Sequence, residues 1–236
     1  MNISISNRTK LSCKVLAVEN ISFEMRRLII AGNDLKSLFN HPDILEPGAW
    51  VKLFPQGIPG RAYTLRSVDL INQTLTIDFV IHGDDPLTVS SWARDVKVGT
   101  ELQIAGPRSG GFKLLPSTRQ LWLAVDTTAL PAGLSIIESL PVGILVKALF
   151  IVPDKSTEAL IVSNASVNTY WLQEYPQCEN HSIEDIELDS SLQVWIAGEA
   201  SWAKTWKTYW INQLSLNPNQ VTTKGYWKSG ELDYRD

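Results

Sequence analysis

The hydrophobic period changes once along this chain, and that change limits the folds open to it. Before Pro116, apolar residues fall in short alternating runs. Residues 74–81 set Leu75, Ile77, Phe79 and Ile81 against Thr74, Thr76 and Asp78, the period of two that marks a half-buried strand. Similar runs lie at residues 11–18, 25–31, 49–54, 62–67 and 101–105, separated by turn residues at Pro47-Gly48, Gly57, Gly60 and Val98-Gly99. About six such strands and one short helix near residues 89–95 predict a closed antiparallel barrel. After Pro116 the apolar runs at residues 121–125, 144–152 and 194–197 are continuous and interleave with helical patterns at residues 128–139 and 200–214. Buried parallel strands covered by helices read this way, so the second half is expected to be an α/β domain. The boundary is expected between residues 111 and 118, giving domains 1–116 and 117–236.

Composition agrees with two compact domains and removes several functions. A chain of 236 residues with 44% apolar side chains can bury two cores and is not disordered. Its 21 Lys and Arg stand against 25 Asp and Glu, a net charge of -4, so no nucleic-acid partner is expected. Residues 1–10 are polar and lack the apolar core of a secretory signal, and the mature chain is expected to start near Met1. Residues 140–152 are interrupted by Pro141, Gly143 and Lys147 and cannot span a bilayer. Cys13 and Cys178 form no CxxC and no disulfide framework, so a reducing, cytoplasmic setting is expected. His41, His82 and His181 are scattered, without metal-ligand spacing, and no G-x-S-x-G elbow is present. Trp202, Trp206 and Trp210 recur every four residues as one helical face, read as packing. The acidic stretch 174–189 reads as a solvated linker or helix.

The candidate chemistry starts at Arg61-Ala62-Tyr63-Thr64-Leu65-Arg66. Strand alternation places Arg61 and Tyr63 on one face and Thr64 on the other. An arginine forks onto a phosphate, a tyrosine offers a flat face to a ring, and a hydroxyl hydrogen-bonds a ring nitrogen. By itself the motif fits an ordinary edge strand equally well. Downstream, Asp78-Phe79-Val80-Ile81-His82-Gly83 is followed by Thr88-Val89-Ser90-Ser91, which opens the short helix. Such an end either offers free N–H groups to a diphosphate or is simply N-capped by Thr88 or Ser90.

In order and spacing, RAYTLR (61–66), DFVIHG (78–83), SSWA (90–93), VGTELQIAGPR (98–108), LAVDTTALPA (123–132), WIAGEA (195–200) and KGYWKSG (224–230) resemble the siderophore-interacting proteins, flavin-dependent ferric-siderophore reductases of the ferredoxin-NADP reductase-like superfamily. The resemblance implies an N-terminal six-stranded Greek-key barrel that binds FAD and a C-terminal Rossmann-like domain for a nicotinamide nucleotide. By position, Arg61 would hold the FAD diphosphate. Tyr63 and Thr64, the residues nearest the reaction, would stack on the isoalloxazine and hydrogen-bond near N5. Val80 and His82 would line the flavin, and Thr88, Ser90 and Ser91 would receive phosphates. The nucleotide would meet Asp126, Thr128, Asp154, Gly198 and Glu199, and an anionic ferric siderophore would meet Lys52, Arg108, Lys224 and Lys228, the last two in a C-terminal substrate-side segment.

The chain departs from the family's usual pattern in two places. The loop from Asp84 to Thr88 carries an extra residue, and Val125-Asp126-Thr127-Thr128 replaces the common Gly-Asp-Glu-Thr, which adds a side chain where backbone meets cofactor. No G-x-G-x-x-G occurs. Asp154 beside Lys155 suits a free ribose hydroxyl, so NADH or a ferredoxin is the expected donor in preference to NADPH. The implied reaction is FAD-mediated one-electron reduction of Fe(III) to Fe(II). Rival readings are a flavin reductase of another pathway and a ferric-siderophore binder without catalysis.

Overall fold

The computed structural model describes residues 9–83, 85–178, 186–231 and 234. They form two compact units that meet at Gly111 and Phe112. The division falls before the expected boundary at Pro116 because Gln193 draws the intervening segment into the second unit. Its side chain donates to Lys113 O at 2.9 Å and accepts from Leu115 N at 3.1 Å and Thr118 Oγ1 at 2.8 Å.

The first unit contains β1 (Leu11–Asn20), β2 (Met25–Ala31), β3 (Trp50–Pro55), β4 (Arg61–Thr64), β5 (Ser67–Asp69), β6 (Thr74–Val80), helix α1 (Val89–Asp95) and β7 (Glu101–Arg108). All pairings are antiparallel, in the order β4-β3-β7-β1-β2-β6-β5. Two adjacent residues close this sheet on itself. Leu65 N donates to Ala49 O beside β3 at 2.7 Å, and Arg66 N donates to Thr76 O on β6 at 2.9 Å. The β4 chain therefore bends and crosses from one edge to the other, so β4 and β5 serve as one strand and no free edge remains between them. The result is the expected six-stranded barrel, with one strand broken.

Alternation fills the interior with Val15, Leu28, Ile30, Val51, Leu53 and Ile77. Asp78 is buried as well, on the strand face opposite Ile77 and Phe79. Arg27 on the neighbouring β2 forks onto it, with Nε at 2.7 Å and Nη2 at 2.8 Å from its two oxygens, which offsets the desolvation of the carboxylate.

The second unit contains β8 (Gln120–Asp126), α2 (Leu130–Ser139), β9 (Leu145–Ile151), β10 (Ser166–Leu172), β11 (Leu192–Glu199), α3 (Ala200–Thr208) and β12 (Val221–Trp227). Its five strands are all parallel in the order β10-β9-β8-β11-β12. The chain steps outward from β8 to β10, then returns to the other side of β8. The topology thus reverses between β8 and β11, the place where open α/β sheets bind ligands at the carboxyl ends of their strands. Every residue of β11 is buried, as a central parallel strand requires. Trp122, Ala124, Val194 and Ile196 face Ala203, Trp206 and Trp210, so the tryptophan face packs onto the sheet. The alternate residues Leu123 and Val125 meet Gly133 of α2 on the opposite face. Among the described residues, no helix is long and apolar enough to cross a membrane.

Candidate functional site

In the barrel, three elements are joined by a run of aromatic rings. Tyr63 on β4 lies 4.4 Å from Phe79 on β6, and Phe79 lies 6.3 Å from Trp92 on α1. Arg61 and Tyr63 are both half-buried, whereas Thr64 is buried. Burial raises the Tyr63 phenol well above its ordinary range, against the opposing charge of Arg61. The phenol therefore stays neutral at biological pH and offers a ring face and an O–H rather than a proton acceptor.

The end of β6 is tied to α1 by one hydroxyl. Ser90 Oγ accepts from His82 N at 2.9 Å and lies 2.9 Å from Val80 O and 3.2 Å from His82 O, to which it can donate. Ser90 thus braces the residues expected to line a flavin, and the phosphate contact expected of it does not match this geometry. Thr88 Oγ1 accepts from Ser91 N at 3.1 Å and lies 2.9 Å from Asp85 O, so its side chain is the N-cap of α1. Asp84, part of the lengthened loop, lies outside the described residues. Beside α1 runs a groove of about 410 Å³ lined by Ile58, Pro86, Ser91, Trp92, Arg94 and Lys97, among others. Asp95 also lines the groove, 3.5 Å from Arg94, so both charge signs meet there; on β4, a half-buried ring with an arginine on the same strand face suits a flavin dinucleotide. Sequence reading missed Arg94 and Lys97, because the groove depends on loops at Ile58 and Pro86 that no local pattern signals.

The expected substrate bases fall in two pairs, one in each unit. Lys52 on β3 and Arg108 at the end of β7 lie on neighbouring strands, with Arg108 5.2 Å above the Trp50 ring. Lys10, not foreseen, shares the Phe54 ring with Lys52, at 4.2 and 5.5 Å. Lys224 lies on β12, opposite Ala197. Lys228 stands in the turn beyond it and pairs with Glu231, whose carboxylate raises its pKa.

At the switch point, Asp126, Thr128, Gly198 and Glu199 come together at the carboxyl ends of β8 and β11. Asp126 is buried and both its oxygens are occupied by the chain itself. Oδ1 accepts from Thr128 N at 2.9 Å, Thr128 Oγ1 and Ala129 N at 3.2 Å. Oδ2 accepts from Glu199 N, Tyr175 OH and Trp227 Nε1, each at 2.8 Å. Burial first, then the Asp126 charge, lifts the Tyr175 phenol far above its ordinary range. Glu199 is buried too, accepting from Trp202 N at 2.7 Å and Ser229 N at 3.2 Å. A Cβ on Gly198, whose φ is +144°, would collide with the Asp126 carboxylate, so only glycine fits there. These polar groups hold the fold at this point, and the direct nucleotide contact expected of Asp126 finds no open acceptor. Asp154 lies just past β9, half-buried, with Ser156 N and Oγ at 2.9 and 2.7 Å holding its carboxyl below the usual range.

Two family profiles match this chain in tandem: the siderophore-interacting FAD-binding domain over residues 55–111 and the siderophore-interacting protein over residues 118–230. The chain belongs to the siderophore-interacting protein family. Within it, residues 55–111 are the FAD-binding part and cover β4, β6, α1 and β7. Relatives of this siderophore-interacting protein include the NADPH-dependent ferric-chelate reductase of Escherichia coli, 28% identical over 90% of this chain and 91% of the relative. The ferric acinetobactin reductase of Acinetobacter baumannii is 26% identical over 76% of this chain, which spans 66% of that relative's length. A siderophore utilization protein from T. fusca superposes with a TM-score of 0.80 at 25% identity, covering 96% of this chain and 95% of its own.

Proposed function

We propose that this chain is an FAD-dependent ferric-siderophore reductase that releases iron by reducing Fe(III) to Fe(II). The observation that carries the reading is the half-buried Arg61 and Tyr63 face of β4, linked through Phe79 to α1, inside the segment that matches the family's FAD-binding domain. Bound FAD would supply the conversion of two-electron input into one-electron output. Arg61 would hold the diphosphate, Tyr63 would present its neutral ring, and Thr64 would hydrogen-bond the flavin edge. Val80 and His82, fixed by Ser90, would line the ring, with Thr88 and Ser91 at the phosphate end.

The substrate is an anionic chelate whose iron is already held by hard oxygen donors, so the protein needs cations rather than metal ligands. Lys52, Arg108, Lys224 and Lys228 fill that role, and Lys10 joins Lys52. For the electron donor, Asp154 follows the second strand of the parallel sheet, the position where an acid meets a ribose hydroxyl and repels a 2'-phosphate. NADH or a ferredoxin is therefore favoured here, in contrast to the NADPH named for the Escherichia coli relative. Cys13 and Cys178 are not joined in a disulfide, which suits a reducing, cytoplasmic setting.

The test is a spectrum and a titration. The protein should hold FAD with an oxidised flavin band, oxidise NADH faster than NADPH under matched conditions, and yield Fe(II) from ferric catecholates. A protein that stays colourless with added FAD is not a reductase of this kind, and a strong NADPH preference overturns the assignment of Asp154.

A further inference from the structure

The second unit contains a latch that the reading above does not use. β11 and β12 run in register from Val194↔Val221 to Gly198↔Gly225, and the next pair is Glu199↔Trp227. One extra residue, Tyr226, enters β12 at that step. Such a bulge re-aims the side chains beyond it. Here it directs the Trp227 indole N–H onto Asp126 Oδ2 at 2.8 Å. Two residues on, Ser229 N donates to Glu199 Oε1 at 3.2 Å. The segment after β12 is thus fastened to both carboxylates of the switch point, one at the end of β8 and one at the end of β11. Gly225 leaves room for the tail, since a Cβ there would come within 2.7 Å of the Tyr234 ring.

Asp126 also satisfies the backbone donors of the turn leading into α2, Thr128 N and Ala129 N. In a dinucleotide-binding sheet a glycine-rich turn offers such donors to a phosphate. The same carboxylate here serves the turn with one oxygen and the tail with the other.

We infer that Asp126 and Trp227 are positioning residues for ferric-chelate binding: their hydrogen bond holds the turn that carries Lys228. The inference rests on the assignment of Lys228 to the substrate. The indole bond adds to the backbone pairing of Trp227 and to the Ser229 bond in keeping the ammonium in one place, and without it the tail must lose more conformational freedom each time the chelate binds. Loosening should weaken chelate binding and leave the electron-transfer step alone.

The test uses full-length, FAD-loaded protein with Trp227→Phe, which keeps an aromatic side chain and deletes the indole N–H with its five-membered ring. Tyr175→Phe is the control, removing a donor to the same oxygen from outside the tail. Hydrogen exchange by mass spectrometry reads the latch directly. Residues 221–231 should exchange about tenfold faster in Trp227→Phe and at the wild-type rate in Tyr175→Phe. Photoreduced protein mixed with ferric tris-catecholate then reads function. Trp227→Phe should raise the half-saturating concentration about 5–10-fold, with the limiting rate within about twofold of wild type. Unchanged exchange of the tail, or an equal effect of Tyr175→Phe, overturns the latch. Faster exchange with unchanged half-saturation overturns its link to the substrate. Wild-type protein that reduces no chelate defeats the proposed function, and the exchange result still decides the latch.

Discussion

The two units hold their family-signature residues by different means. In the barrel, Arg61, Tyr63 and the end of β6 are placed by strand register and by the Tyr63–Phe79–Trp92 rings, and Arg61, Tyr63, Val80 and Thr88 stay half-buried. In the parallel sheet, Asp126 and Glu199 are buried and their oxygens accept from the chain's own donors. A saturated network of buried hydrogen bonds commits its groups to the fold. Substitution in the first region should therefore cost ligand affinity, and in the second stability.

The largest expected effect tests the second half of that contrast. Asp126→Ala leaves several buried donors unpaired and should destabilise the second unit by about 3–5 kcal/mol, read by urea unfolding followed through tryptophan fluorescence. FAD affinity should be retained in the variant wherever the chain remains folded. A loss of FAD with unchanged unfolding would reverse the contrast.

Arg61→Ala probes the barrel. Removing a charged hydrogen-bond donor should weaken FAD binding by roughly 10–100-fold, measured by titration of apoprotein, with the apoprotein's unfolding midpoint unmoved. A drop in apoprotein stability instead would make Arg61 a fold residue like Asp126. Lys52→Ala combined with Lys228→Ala sharpens the picture at the substrate. The KM for a ferric catecholate should rise about 5–10-fold while NADH oxidation changes less, and equal loss of both would point to damage rather than to lost charge.

The effect that vanishes at neutral pH concerns a thiol. Burial of the Cys13 thiol in the barrel pushes its pKa up from 9.0 to about 12. The raised value means that the folded state keeps its proton where the unfolded state has lost it. The stabilisation is complete below pH 9, and stability declines between pH 9 and about 12, by roughly 1 kcal/mol per pH unit. Tyr63 and Tyr175 act with the same sign above pH 10. Cys13→Ala should flatten the barrel's share of the decline in alkaline denaturant titrations, and an unchanged slope would mean that the thiol is not the group responsible.

The sequence carried both architectures where burial follows a simple period. Alternation at residues 74–81 and continuous apolar runs in β8, β9 and β11 each state one face or two. The strands β10 and β12 were not read, because edge strands such as Ser166–Leu172 mix half-buried and exposed residues and carry no sustained signal. The shared face of Arg61 and Tyr63 was legible because alternate strand positions point the same way. Ser90's bond to β6, the Tyr226 bulge and the Asp126–Trp227 contact were not. The last joins residues 126 and 227 through strand register and bulge geometry, to which local patterns are blind. The same holds for Lys10, which meets Lys52 only through the Phe54 ring.

The most direct test of the central claim is anaerobic. Protein reconstituted with FAD is reduced by light, mixed with a ferric catecholate, and the Fe(II) formed is trapped by a ferrous chelator. The account predicts reoxidation of the flavin band with about two Fe(II) released per FAD. A flavin that stays reduced beside intact ferric chelate, or a protein that retains no flavin at all, would contradict it.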